Sequence, residues 1–163
     1  MLKLKDKAPL DIKIEDEKGK PVSLKDYLGQ YAVLYFYPKD DTPGCVKEAC
    51  SFRDWNADIK KLGVEIIGVS KDSPISHQKF TKKYKLNFPL WSDKNHKLMD
   101  AFGTWQKKKF MGKEYFGTAR STFIIDPKGK IIKVWEKVEP LNHGQEVYEF
   151  LKNNKIYLLR KSD

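Results

Sequence analysis

Cys45 and Cys50 are the only thiols in a chain of 163 residues, and both fall in one stretch, "YPKDDTPGCVKEACSFRDW". Cys45 follows Thr42, Pro43 and Gly44 and precedes a run with helical spacing, which places it at or inside the first turn of a helix. Unpaired backbone N–H groups and the positive end of the macrodipole favour a thiolate there. Pro43 and Gly44 let the backbone turn sharply into the helix, and Thr42 offers a hydroxyl beside the sulfur. This is the environment of a nucleophile. Cys50 lies five positions on, so on an intact helix the pair is separated by about 7.5 Å along the axis and about 140° around it. A disulfide needs Cα atoms within about 7 Å and side chains that face each other. Joining the two cysteines therefore requires at least one helical turn to unwind.

Blander readings of the same residues exist. Two cysteines can be small core side chains, although Gly and Pro just ahead of a sulfur make a poor core position. C-x4-C also fits zinc spacing, but His77, His96 and His143 are too scattered to supply the second pair of ligands. No metal is expected, and the histidines read as ordinary surface or helix residues.

The elements that must position Cys45 are legible around it. "YAVLYFY" (31–37) is a continuous apolar run, the signature of a strand buried on both faces. Phe52, Trp55, Ile59 and Leu62 recur at helical spacing until Gly63 stops them. "VEIIGVS" (64–70) is a second buried strand, and Ser73-Pro74 starts a helix carrying Ile75, Phe80 and Tyr84. "LDIKIED" (10–16) has the period of a strand, and Ser23 caps a short helix that Gly29 closes. Residues 96–102 are predicted as a short helix, and 103–119 as too polar and Gly-punctuated for regular structure. "STFIID" and "IIKVWE" flank a "DPKG" turn as a hairpin, and "GQEVYEFLKNN" closes as an amphipathic helix. The order β, α, β, α, β, β, α after an N-terminal extension predicts an α/β fold. It is a thioredoxin-like plan with a central mixed β-sheet flanked by helices, in one domain over 1–163.

Composition narrows the class of function. At 40% hydrophobic and 33% charged residues, the balance is that of a soluble globular protein. No stretch resembles a signal-peptide core or a membrane span, so a cytoplasmic protein with no membrane partner is expected. In that compartment the cysteines would cycle between thiol and disulfide. The net charge of +10 raises the question of nucleic acid, with lysines beside aromatics in "KFTKKYK" and "WQKKKF". Yet lysines spread along the whole chain, no binding motif accompanies them, and arginine occurs only three times. No nucleic-acid partner is expected.

The segment "PKDDTPGCVKEAC" resembles the active site of peroxiredoxins, whose signature Pro-x3-Thr/Ser-x2-Cys is matched by Pro38, Thr42 and Cys45. A second cysteine five residues on is similar to the bacterioferritin-comigratory (peroxiredoxin Q) subfamily. "GVSKDSPISHQKF", "FPLWSD", "AFGTW" and "RSTFIIDPKGKI" follow in that subfamily's order, so the resemblance covers roughly 4–151. Val46 departs from it, since a Thr is common there. The resemblance implies a thioredoxin-dependent thiol peroxidase. Cys45 would be the peroxidatic nucleophile toward H2O2 or organic hydroperoxides, and Cys50 the resolving thiol that closes an intrachain disulfide. Thioredoxin or a similar dithiol would reopen it. Arg120 would supply positive charge to the thiolate and the Thr42 hydroxyl would orient the peroxide. Pro38 would shape the loop and shield the sulfur, and the N–H groups of Gly44 and Cys45 would polarise the peroxide. No cofactor is implied, and resolution within one chain points to a monomer. Glu48, one turn into the helix, either tunes the local charge or complements the dipole. The aromatic residues Trp105, Phe110, Tyr115 and Phe116 receive no role.

Two other readings remain at this point. A thioredoxin-type disulfide oxidoreductase would place C-x2-C at the helix start, where this chain has C-x4-C. A basic nucleic-acid-binding module would bind with steep salt dependence and be indifferent to Cys45→Ser.

Overall fold

A computed structural model describes residues 1–156, so the last part of the expected domain, 157–163, lies outside the described residues. In chain order the strands are β1 (Ile14–Asp16), β2 (Pro21–Val22), β3 (Tyr31–Phe36), β4 (Val64–Ser70), β5 (Leu90–Ser92), β6 (Trp105–Phe110), β7 (Lys113–Thr118), β8 (Ser121–Ile125) and β9 (Ile131–Trp135). The helices are α1 (Pro43–Lys61), α2 (Pro74–Tyr84), α3 (Lys97–Phe102) and α4 (His143–Asn153). Seven strands form one sheet in the order β2-β1-β5-β4-β3-β8-β9.

The centre of that sheet is where the sequence is most apolar. All six residues of β3 are buried, because the strand pairs parallel with β4 on one side and antiparallel with β8 on the other. Burial on both faces needs two cores, and two are found. Phe52 and Ile59 of α1, Phe80 of α2 and Val147 and Leu151 of α4 cover one face. Leu98, Met99 and Phe102 of α3 cover the other, together with Phe36, Trp91 and Phe123. The mixed sheet flanked by helices is the predicted architecture. The hairpin about "DPKG" forms as β8 and β9, with a register shift between Ile124 and Ile125.

Three expectations are corrected. Ser23 starts only a single 3₁₀ turn, Leu24–Tyr27, before Gly29 turns the chain at φ 95°. Within "LDIKIED" only the last three residues join the sheet as β1. The larger correction is 103–119, predicted irregular, which folds as a two-stranded ribbon of β6 and β7. Met111 and Gly112 both have positive φ, 51° and 80°, and make a two-residue turn between the paired Phe110 and Lys113. Its residues are largely solvated on both faces, so no apolar alternation marks it in the sequence.

Candidate active site

Thr42 is the N-cap of α1, in extended conformation, and Pro43 occupies the first helical position. Cys45 is thus the third helical residue. The first intrahelical bond runs from Val46 N–H to the Thr42 carbonyl at 2.8 Å, so the Gly44 and Cys45 N–H groups precede the ladder. The Cys45 side chain packs in the core with Tyr35, Tyr37, Ala49 and Phe52 and is only 1% exposed. Pro38, which begins the loop, is itself exposed, whereas Cys45 is buried within the core cluster. The Thr42 hydroxyl donates to the Lys39 carbonyl at 2.8 Å and makes no hydrogen bond to the sulfur.

Arg120 reaches this helix from the start of β8. Its Nη2 lies 3.3 Å from Cys45 Sγ, and its Nη1 donates to Glu48 Oε1 at 2.7 Å. Cys45 and Glu48 are three positions apart, hence on one face of α1. Gly44 leaves room for this approach, since a Cβ there would stand 3.0 Å from Nη2 and push the guanidinium back by a few tenths of an ångström. Glu48 is completely buried, and its second oxygen, Oε2, has no hydrogen-bond partner among the described residues. Burial pushes its carboxyl up to about 7 against the lowering pull of Arg120. For Arg120, burial works against the charge, but Glu48 and then Cys45 outweigh it and raise its pKa. Glu48 is therefore no mere dipole complement; it is the buried acceptor that fixes the guanidinium.

The loop ahead of α1 is braced from α2. Asp40 accepts from the Tyr37 hydroxyl at 2.6 Å and the Ser76 hydroxyl at 2.8 Å, and it lies 2.7 Å from His77 Nδ1. Its own N–H donates to Asp72 Oδ2 at 2.8 Å. Asp41, held at φ 59°, accepts from Lys83 and the Tyr84 hydroxyl, each at 2.7 Å. His77 is fully buried, as is His143, which lies 2.8 Å from Thr122 Oγ1 through Nε2. The expectation of surface or helix residues holds in that both lie on helices, α2 and α4, but their burial is a correction: both are structural partners in the core. Local sequence marks only the His143 contact with Glu146, 2.8 Å away and three positions on; the core partners lie 37 and 21 positions away.

Donor atoms of Asp40, Asp72 and His77 lie within 4.8 Å of one another, the one group with metal-like spacing among the described residues. Each already serves the brace, with Ser70 bonding Asp72 at 2.7 Å. Cys50 is half-buried on α1 and both cysteines are free thiols.

The sequence pattern of the AhpC/TSA family matches residues 4–134. The chain belongs to this family. Peroxiredoxin Bcp of Bacillus subtilis is 50% identical to it over 147 residues, which is 90% of this chain and 93% of that relative. Peroxiredoxin Bcp of Escherichia coli K12 is 42% identical over 153 residues, covering 94% and 97%. Among solved structures, the bacterioferritin comigratory protein of Xanthomonas campestris, studied for alkyl peroxide reduction, superposes with a TM-score of 0.85 at 35% identity. That match covers 91% of this chain and 99% of the other. A serine variant of PrxQ from Xylella fastidiosa gives a TM-score of 0.89 at 33% identity, covering 94% and 98%. Family membership and the mixed-sheet, thioredoxin-like fold agree with the resemblance seen in the active-site segment.

Proposed function

We propose that this chain is a thiol peroxidase of the Bcp/peroxiredoxin Q type, acting as one domain and as a monomer in a reducing cytoplasm. The Cys45 thiolate attacks the terminal oxygen of a hydroperoxide. An S–O bond forms, the O–O bond breaks, and the departing alkoxide or hydroxide takes a proton to leave as alcohol or water. The product is Cys45 sulfenic acid. Cys50 then attacks that sulfur, expels water and closes the disulfide. A dithiol such as thioredoxin restores both thiols by exchange.

One observation carries this reading: Arg120 Nη2 stands 3.3 Å from the Cys45 sulfur at the first turn of α1. Two cationic influences, the guanidinium and the helix N-terminus, converge on one sulfur. Arg120 also steadies negative charge as it builds on the departing oxygen. The free N–H groups of Gly44 and Cys45 offer donors to the peroxide, and Thr42 Oγ1, its own proton held by the Lys39 carbonyl, accepts from the peroxide O–H and orients the attack, with Pro38 shaping the loop. The O–O bond is weak enough that thiolate displacement needs no metal or organic cofactor.

Burial favours the peroxidase over a thioredoxin-type oxidoreductase. With Cys45 only 1% exposed, its sulfur cannot meet a protein disulfide until the helix opens, whereas a small hydroperoxide needs a far smaller opening. The test is H2O2 consumption under dithiothreitol by wild type and Cys45→Ser. Turnover that disappears in the variant is expected, and turnover that survives contradicts the reading.

A further inference from the structure

The ribbon of β6 and β7 is separate from the main sheet. Its base is anchored: Ala119 N–H bonds the Thr104 carbonyl at 2.7 Å, and Trp105 stacks on His96 with centroids 4.5 Å apart. Its far end is apolar and uncovered. Met111 is 87% exposed and Phe110 67% exposed, the two highest values among the exposed large apolar side chains of the described residues. Phe116 and Tyr115 stand exposed just behind them, so the ribbon carries four of the eight such side chains.

The turn itself adds an independent observation. Both of its central residues have positive φ, a conformation that favours Gly, Asn or Asp. Methionine at φ 51° brings neither conformational ease nor a local hydrogen bond. A side chain unsuited to its turn and unburied by the fold is explained by something outside the chain. The charge around it says what. Lys107, Lys108, Lys109 and Lys113 flank the tip, while the ribbon's only acid, Glu114, is paired with Lys107 at 2.7 Å. Apolar groups at the apex with cations one step behind follow the depth profile of an anionic bilayer, acyl chains beneath phosphates.

We propose that the β6–β7 tip docks on anionic lipid surfaces, Phe110 and Met111 entering the acyl boundary while Lys109 and Lys113 meet the phosphates. No helix of the described residues is long and apolar enough to cross a membrane, and surface docking needs none. The expectation of no membrane partner rested on spans and is silent on such a tip. Lys108, two positions before Phe110 and so on the same face of the ribbon, is near enough for the charges of Arg120 and Cys45 to act on it. Docking therefore brings the Cys45 site toward the lipid, where peroxidised acyl chains are a hydroperoxide source; that consequence rests on the peroxidase reading, whereas docking does not.

The test is co-sedimentation with phosphatidylcholine vesicles containing phosphatidylglycerol, against pure phosphatidylcholine, for wild type and a Phe110→Ser, Met111→Ser double variant. Wild type is expected to bind the anionic vesicles only, less as salt screens the lysines. The double variant should lose about tenfold or more in partitioning, given the apolar surface removed, with H2O2 turnover in buffer unchanged as the control for folding. No sedimentation of wild type, or equal sedimentation of the variant, overturns the proposal. So does a raised KM for thioredoxin in the variant without vesicle binding, which would give the tip to a protein reductant. Loss of H2O2 turnover in wild type with vesicle binding intact would sink the peroxidase reading alone.

Discussion

Arg120 holds two partners at once, Glu48 at 2.7 Å and the Cys45 sulfur at 3.3 Å, because the guanidinium is planar and presents separate N–H groups to each. A lysine ammonium is a single point and cannot span both. Arg120→Lys is therefore expected to lower kcat/KM for H2O2 by about 10²-fold, the scale of losing one preorganised donor; an unchanged initial rate would show that the contact is incidental. Glu48 makes a pH prediction. Its folded carboxyl sits at about 7 against an ordinary 4.5, raised chiefly by burial. Between those values the folded protein keeps a proton that the unfolded chain releases. The contribution is present in full below the unfolded value and is lost as pH rises through the folded one. Thermal midpoints of wild type should fall relative to Glu48→Gln as pH rises from 4.5 to about 7, and parallel curves would contradict this. Of this residue-level arrangement, the cysteines, Thr42 and Gly44 are readable from one contiguous segment. Arg120 lies 75 positions from Cys45 and was legible only through the family resemblance. Glu48 was visible as an acid on the cysteine face, but its burial depends on a core that no local pattern describes.

At the scale of elements, α1 has two parts with different duties. Bringing Cys50 to Cys45 requires the early turns to unwind, whereas the helix from Ser51 onward is clamped. Gly144 N–H donates to Ser51 Oγ at 2.8 Å, Arg53 donates to the Tyr84 carbonyl at 2.7 Å, and Asn56 donates to the Asn87 carbonyl at 2.9 Å. Gly144 lies so close that a Cβ would overlap the Ser51 carbonyl, a backbone atom that cannot step aside. Gly144→Ala is expected to destabilise the fold by about 2 kcal/mol, the scale of overpacking, read by urea unfolding; an unchanged midpoint would mean α4 does not clamp α1. Elements that bury an unbroken apolar face, such as β3, β4 and α4, were legible because their periodicity is theirs alone. The ribbon of β6 and β7 was not, since lysines occupy 107–109 and its pairing rests on a turn signalled only by Gly112.

Across the whole molecule, the parallel pair β3 and β4 delivers the chemistry to the carboxyl ends of the central strands. The loop after β3 carries the cysteine, and the segment after β4 leads into α2, whose Ser76 and His77 brace that loop. Everything needed to form and resolve a sulfenic acid is thus proposed to lie within one chain, so oxidation should leave a monomer with an internal bridge. Intact-mass analysis under non-reducing conditions after one equivalent of H2O2 tests this most directly, comparing wild type, Cys50→Ser and Cys45→Ser. Wild type should lose two hydrogens within a single-chain mass, Cys50→Ser should gain one oxygen on Cys45, and Cys45→Ser should be unchanged. A disulfide-linked pair of chains in wild type, or an oxygen taken up by Cys50 in Cys45→Ser as fast as by Cys45, would contradict the account.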